Sequence, residues 1–216
     1  FLNHYHGVIY ATGGSQSREL NIPGADHDNI FGSSTFVGWY NGHPDQQELS
    51  VNFAENTAAI IGIGNVALDI ARILILPTEE LEKTDIADHA LPSLKSSNIN
   101  DVYLFARRGP VQAAFTPKEL EQLMAIPNLD LIVDPKDLEL DEASLAQLEK
   151  TESNEARQNI ALLQEISQQK NNSGANNNNK RIHFMFCASP TAINTNNDGL
   201  KYLTVARTEL KSDSSG

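Results

Sequence analysis

Four consecutive apolar residues, Ala58 to Ile61, are followed by Gly62-Ile63-Gly64 and then by apolar positions at Val66, Ile70, Ile73 and Leu74. The run reads as a buried strand, the glycines as a tight turn, and the spacing after them as one face of a helix that Pro77 ends. "DVYLFARRGP" (101–110) and "LDLIVD" are the next strands. Between the first two strands lies a helical piece from Glu79 to Leu94, with Thr78 as its N-cap. Thr116, Pro117 and Glu119 take the N-cap, first and third places of a capping box, so a helix is expected over 117–125. The acidic segment 137–170 reads as largely helical, with its main helix from about Ser144 to Lys170. "RIHFMFCA" and "LKYLTVARTEL" read as antiparallel strands flanking a turn rich in Pro and Asn, and "GVIYATGG" as a strand and turn. Residues 16–56, broken by Pro23, Gly24, Gly42 and Pro44, read as a long loop-rich approach. Strands alternating with helices predict an α/β fold, a three-layer Rossmann-like nucleotide-binding domain with a small antiparallel β-meander.

Strand, glycine turn and helix in that order aim the unpaired N–H groups and positive dipole end of the helix at whatever lies beyond the strand. An anion is the natural guest. In the pattern G-x-G-x-x-G/A, Gly62 makes the turn, Gly64 lets the backbone approach a pyrophosphate, and Ala67 takes the close-packed third place. The same glycine pair serves compact packing alone in proteins that bind no nucleotide, so the next strand decides. An NAD-binding unit places an acidic residue about 20 positions on for the ribose hydroxyls. Here the next strand ends in Arg107 and Arg108. Two guanidiniums suit a 2′-phosphate through forked, charge-assisted hydrogen bonds. At about 1.5–3 kcal/mol for each hydrogen bond to a charged group, they would favour NADPH over NADH by roughly a hundredfold. The alternative is a solvated strand end. Glu119 also has two readings, a local capping job and a contact to the adenosine ribose or to an arginine of the pair.

"FVGWYNGHPD" (36–45), "GIGNVALDIARIL" (62–74) and "RRGPVQAAFTPKEL" (107–120) together resemble the NADPH:adrenodoxin oxidoreductase family, the ferredoxin reductases of mitochondria and some bacteria. "YATGG" (10–14) resembles the family's passage from its FAD domain into its NADP domain, and "FMFCASPTAI" (184–193) a strand of its β-meander. The resemblance implies a phosphate-binding turn on Ile63, Gly64, Asn65 and Val66, 2′-phosphate arginines at Arg107 and Arg108, and an adenosine-ribose glutamate at Glu119. Ile63 departs from the glutamine common in relatives, which leaves only a backbone contact there. On this resemblance, residues 1–56 are a return strand and connecting loops from an FAD domain, and 57–216 an NADP-binding domain. The family's FAD motifs are absent from the sequence, and its abrupt ends give the expectation of a domain from a longer flavoprotein, inactive by itself. The implied parent passes electrons from NADPH through FAD to a [2Fe-2S] ferredoxin in the mitochondrion. Two alternatives stand beside it: the NADP domain of another two-nucleotide flavoprotein, such as a glutamate synthase small subunit, and a non-catalytic NADP-binding module.

A net charge of −12 over 216 residues excludes a nucleic-acid surface as the main role, because such a surface needs a basic patch. Lys150 and Arg157 are the only candidates for a basic docking surface, against the alternative of ordinary solvated side chains. Cys187 is the single cysteine, so no internal disulfide or C-x-x-C pair forms, and its apolar strand is expected to bury it. His4 and His6 lie two apart beside Tyr5, a spacing that would put both on one face if the segment were a strand, with no carboxylate or cysteine evidently poised to complete a metal site. The Asn-rich run 171–179 is expected to be a disordered insertion. Trp39 and Tyr40 read as core-sealing aromatics, with proximity to a flavin or nicotinamide as the alternative. No apolar run approaches the ~18 residues of a membrane span. The sequence offers no catalytic acid, base or nucleophile.

Overall fold

The computed structural model describes residues 3–9, 17–150, 154–169, 179–195 and 201–210. Its centre is a four-stranded parallel sheet in the order β1-β2-β4-β3, formed by β1 (Thr57–Ile61), β2 (Asp101–Phe105), β3 (Leu129–Val133) and β4 (Lys180–Met185). Strands β1, β2 and β4 run in register, Ile61 beside Phe105 and Phe105 beside Met185. A two-stranded antiparallel hairpin, β5 (Ala188–Thr195) and β6 (Lys201–Arg207), is appended to it. The fold class read from the sequence, a Rossmann-like α/β domain with a small antiparallel unit, is the one observed.

Parallel strands alternate their side chains between two faces. Val102, Leu104, Ile182, Phe184 and Val133 share one face and are almost wholly buried. They share a core with residues of α2 (Asn65–Ile75), α5 (Pro117–Met124) and α7 (Glu155–Gln169). Each large side chain so enclosed contributes about 1.5–3 kcal/mol by leaving water. On the opposite face stand Asp101, Tyr103 and Phe105 with Arg181 and His183, where the Tyr103 and His183 rings stack at 4.1 Å and 4°.

Several sequence expectations are corrected. The apolar run Ala58 to Ile61 of β1 is not buried, because β1 lies at the sheet edge beside β2 alone among the described residues, and Ile61 remains 43% exposed. The buried face of α2 is Ala67, Ile70, Ala71 and Leu74; Val66 points outward, about half exposed. The helical piece 79–94 is two short helices, α3 (Thr78–Leu81) and α4 (Leu91–Lys95), and Thr78 lies inside α3 with Pro77 at its N-cap. The acidic helix divides into α6 (Glu142–Lys150) and α7. Arg157 of α7 donates to the Leu148 carbonyl of α6, which gives that cation a structural partner. "RIHFMFCA" does not form a hairpin with β6: β4 inserts between β2 and β3, and β5, read as a turn because of Pro190, is the true antiparallel partner.

The approach segment is also more ordered than its punctuation suggests. It contains α1 (Ser33–Tyr40) and a 3-10 turn over Pro44–Gln46. Phe36, Trp39, Tyr40 and Phe53 join the main core, with the Phe36 and Trp39 ring centres 5.4 Å apart. Trp39 is 2% exposed, so this aromatic pair seals the core. The Tyr40 hydroxyl donates to Asp69 of α2 at 2.9 Å, and burial, then the Asp69 charge, raise the phenol's pKa well above its usual value. Gly7 to Ile9 form no strand; residues 10–14 of "YATGG" and residues 171–178 of the Asn-rich run lie outside the described residues.

Candidate functional site

The glycine turn lies where the sequence puts it. Gly62 has φ 122°, a conformation that side chains with a Cβ rarely adopt, and its N–H bonds the Phe105 carbonyl at 2.9 Å. Gly64 is the extended N-cap of α2, and no side chain caps the helix. The first amides of α2 therefore have no acceptor within the helix. A negative group is favoured there.

The turn is laced to the segment that follows the arginines. Ala114 donates to the Ile63 carbonyl at 3.1 Å, and Gly64 and Ala114 form a parallel bridge. Asn65 goes further: its Oδ1 accepts the backbone N–H of Thr116, the N-cap of α5, at 2.8 Å. The side chain of Asn65 thus ties the start of α2 to the start of α5. Thr116 and Pro117 stand at the expected cap and first helical places, but Thr116 makes no side-chain cap hydrogen bond. The reciprocal capping box is absent.

Arg107 and Arg108 follow the end of β2 and are exposed, and no described carboxylate pairs with either guanidinium. Their backbone is held by the hairpin: Cys187 N–H donates to the Arg108 carbonyl at 3.1 Å and the Thr208 hydroxyl to the Arg107 carbonyl at 2.7 Å. Gly62, Ile63, Gly64, Arg107, Arg108 and Ala114 all line one open cleft of about 2000 Å³. Glycine turn and arginine pair therefore face a common space. Asn65, Val66, Ala67 and Glu119 stand outside its lining; Ala67 is buried against the sheet, and Glu119 sits in the first turn of α5.

Cys187 is not in a strand. It occupies the turn between β4 and β5 at φ 48° and is partly exposed. Burial, then Asp137 and Asp141, push its pKa up, so the thiol stays protonated at neutral pH. Among the described residues no group of three or more His, Cys, Asp or Glu could hold a metal, and no helix is long and apolar enough to cross a membrane. The role of the β4–β5 turn and of Thr208 in holding the arginines had no sequence signal, because the contact joins residues far apart in the chain.

No family model matches the chain. It is 43% identical over 188 residues to the mitochondrial NADPH:adrenodoxin oxidoreductase of Arabidopsis thaliana, an alignment covering 86% of this chain and 38% of the plant protein. It is 39% identical over 213 residues to the NADPH-ferredoxin reductase FprA of Mycobacterium tuberculosis H37Rv, covering 98% of this chain and 45% of the bacterial one. The solved structure of M. tuberculosis FprA in complex with NADPH matches with a TM-score of 0.85 at 38% identity, again over 98% of this chain and 45% of that one. The chain is homologous to the NADPH:adrenodoxin and NADPH-ferredoxin reductases. It spans less than half the length of these reductases. The sequence resemblance, drawn from five motifs spread along the chain, agrees with alignments that cover nearly all of it.

Proposed function

We propose that this reductase homologue binds NADP(H) in the cleft between the glycine turn and the arginine pair, as the nucleotide domain of an FAD-dependent NADPH:ferredoxin oxidoreductase. The observation that carries the reading is the shared cleft: the glycine turn that opens a helix no side chain caps, and two arginines that no described carboxylate pairs, line the same space. The residues fit the group. Ile63, Gly64, Asn65 and Val66 would hold the pyrophosphate through backbone N–H groups, with Gly62 making the turn and Ala67 packing the helix close to the strand. Arg107 and Arg108 would take the 2′-phosphate. Glu119, off the cleft lining, would act on the adenosine ribose through the α5 amino end that Asn65 holds in place. Bound NADPH supplies a hydride for the flavin of the full-length parent.

This chain's own contribution is positioning. Binding energy gathered at the adenylate half, remote from the reacting carbon, fixes the nicotinamide half in place. Residues 57–216 form the nucleotide domain in this reading, and 1–56 the path from the FAD domain, although Phe36, Trp39 and Phe53 of that path share the same core. The electron acceptor in this reading is a ferredoxin, which the relatives' names support; its [2Fe-2S] kind is what the sequence resemblance implies. A mitochondrial location rests on the plant relative's name, while a bacterial relative of similar identity carries no such word.

Calorimetric titration of the chain with 2′,5′-ADP and with 5′-AMP tests the cofactor assignment. The 2′-phosphorylated ligand is expected to bind about 10- to 100-fold more tightly, with Arg107→Ala removing most of the difference. Equal affinities in the unmodified chain would overturn the reading.

A further inference from the structure

The two arginines lie on a turn just past the end of β2, and an exposed turn by itself would leave their guanidiniums to wander. The hairpin holds the backbone from which they project. Ala106, the residue before the pair, donates to the Met185 carbonyl at 2.9 Å and accepts from Ala188 N–H at 2.8 Å. Cys187 N–H then holds the Arg108 carbonyl, and the Thr208 hydroxyl holds the Arg107 carbonyl. Thr208 is itself fixed, its N–H donating to the Cys187 carbonyl at 2.8 Å. Beside it, Arg207 donates to the buried carboxylate of Asp137 at 2.7 Å and to the Phe186 carbonyl at 2.9 Å. The end of β6 is thus bolted to the sheet, and a hydroxyl projecting from it grips the arginine turn.

Of these contacts only the one from Thr208 is made by a side chain to the pair's own backbone. A peptide unit is planar, so fixing the Arg107 carbonyl also fixes the direction of the Arg108 N–H and the plane in which both Cα atoms lie. Close packing behind the turn reinforces it. A Cβ on Gly109 would come within 3.2 Å of Gln112 Oε1 and 3.4 Å of Leu210 Cδ1, so Gly109 leaves no slack next to the pair.

We infer that Thr208 is a positioning residue for 2′-phosphate recognition: its hydroxyl sets the peptide plane from which Arg107 and Arg108 project, and so sets the preference for a 2′-phosphorylated nucleotide. The inference rests on the cofactor reading above and names a residue that the glycine and arginine motifs do not contain.

The Thr208→Val and Thr208→Ser variants of the same chain test it, titrated with 2′,5′-ADP and with 5′-AMP. Valine keeps the shape and removes the donor; serine keeps the donor. Thr208→Val is expected to weaken 2′,5′-ADP binding about three- to tenfold and to leave 5′-AMP binding unchanged, with Thr208→Ser restoring the preference. Amide exchange over residues 106–109 should quicken in the valine variant alone. A discriminating parent chain whose preference survives Thr208→Val would overturn the inference while leaving the nucleotide reading intact. Equal weakening of both ligands would overturn it as well, since that is the mark of a general structural role. A parent chain that does not discriminate would overturn the nucleotide reading, and the positioning role with it.

Discussion

Replacing Asp101 with Asn probes the end of β2 opposite the one that leads to the arginines. The Asp101 side chain is only 10% exposed, and its two oxygens take different donors, Arg181 Nη2 at 2.6 Å and His183 Nε2 at 2.8 Å. Because an ionised carboxylate only accepts, His183 must carry its proton on Nε2. Burial opposes the charge, but the hydrogen bonds from Arg181 and His183 outweigh it and hold the carboxyl below the usual aspartate value. Asparagine offers one acceptor where two are needed and turns an N–H₂ toward the other donor. The His183 bond, largely shielded, is worth about 1.5–2 kcal/mol; the Arg181 bond is 47% exposed on its partner's side, and water screening reduces it to about 0.5–1 kcal/mol. The sum, roughly 2–3 kcal/mol, corresponds to a fall in Tm of about 4–12 °C for a chain of this size.

The pH dependence follows from the direction of the shift. A carboxyl whose folded-state pKa lies below its unfolded value of about 3.9 gives its full stabilisation above that value and loses it as pH falls through the folded one. Thermal melts by circular dichroism should therefore show a penalty for Asp101→Asn that is constant between pH 5 and 8. The penalty should shrink below pH 4, where the parent loses the same contribution. A variant that melts within a degree of the parent at pH 7, or a penalty that grows as the pH falls, would refute the reasoning.

Asn65→Asp should keep the acceptor for Thr116 N–H and hold stability near that of the parent, yet weaken 2′,5′-ADP binding about tenfold by placing a negative charge beside the helix amino end. Asn65→Ala should cost about 1 kcal/mol in a denaturant titration through loss of that hydrogen bond. Gly24→Ala confronts both φ 80° and a Cβ placed 2.0 Å from the Ile193 carbonyl oxygen. It should break the Ile193 N–H to Pro23 carbonyl bond of 2.8 Å, at a cost of about 1–3 kcal/mol, with loss of amide protection at Ile193 while Val102 keeps its own.

The strand, glycine turn and helix around Gly62 were legible because each carries a local signature: an apolar run, a residue free to take positive φ, and a helical repeat. Helix α1 was not, since "STFVGWY" is apolar around its circumference and a central glycine interrupts it. Pro190 hid β5, although a proline is tolerated in a strand where no ladder donor is needed, and the register does shift between Pro190 and Ala192. β1 misled for the opposite reason. Apolarity shows that a strand can be buried, whereas its place in the sheet order decides whether it is. At the site, the glycines and arginines were found by residue type; the Asn65–Thr116 tie and the grip of Thr208 on Arg107 join residues distant in sequence and carry no pattern a single chain displays.

The order β1-β2-β4-β3 has a bearing on how the molecule is made. β3 has β4 as its only described neighbour, and β4 is the last of the four to leave the ribosome. Until residue 185 has emerged, β3 has no edge to join, and the nascent chain must carry Leu131 and Val133 without their partners Ile182 and Phe184. Such late, long-range closure slows folding and leaves a sticky intermediate. Truncations ending before Lys180 should thus depend on chaperones for as long as they persist.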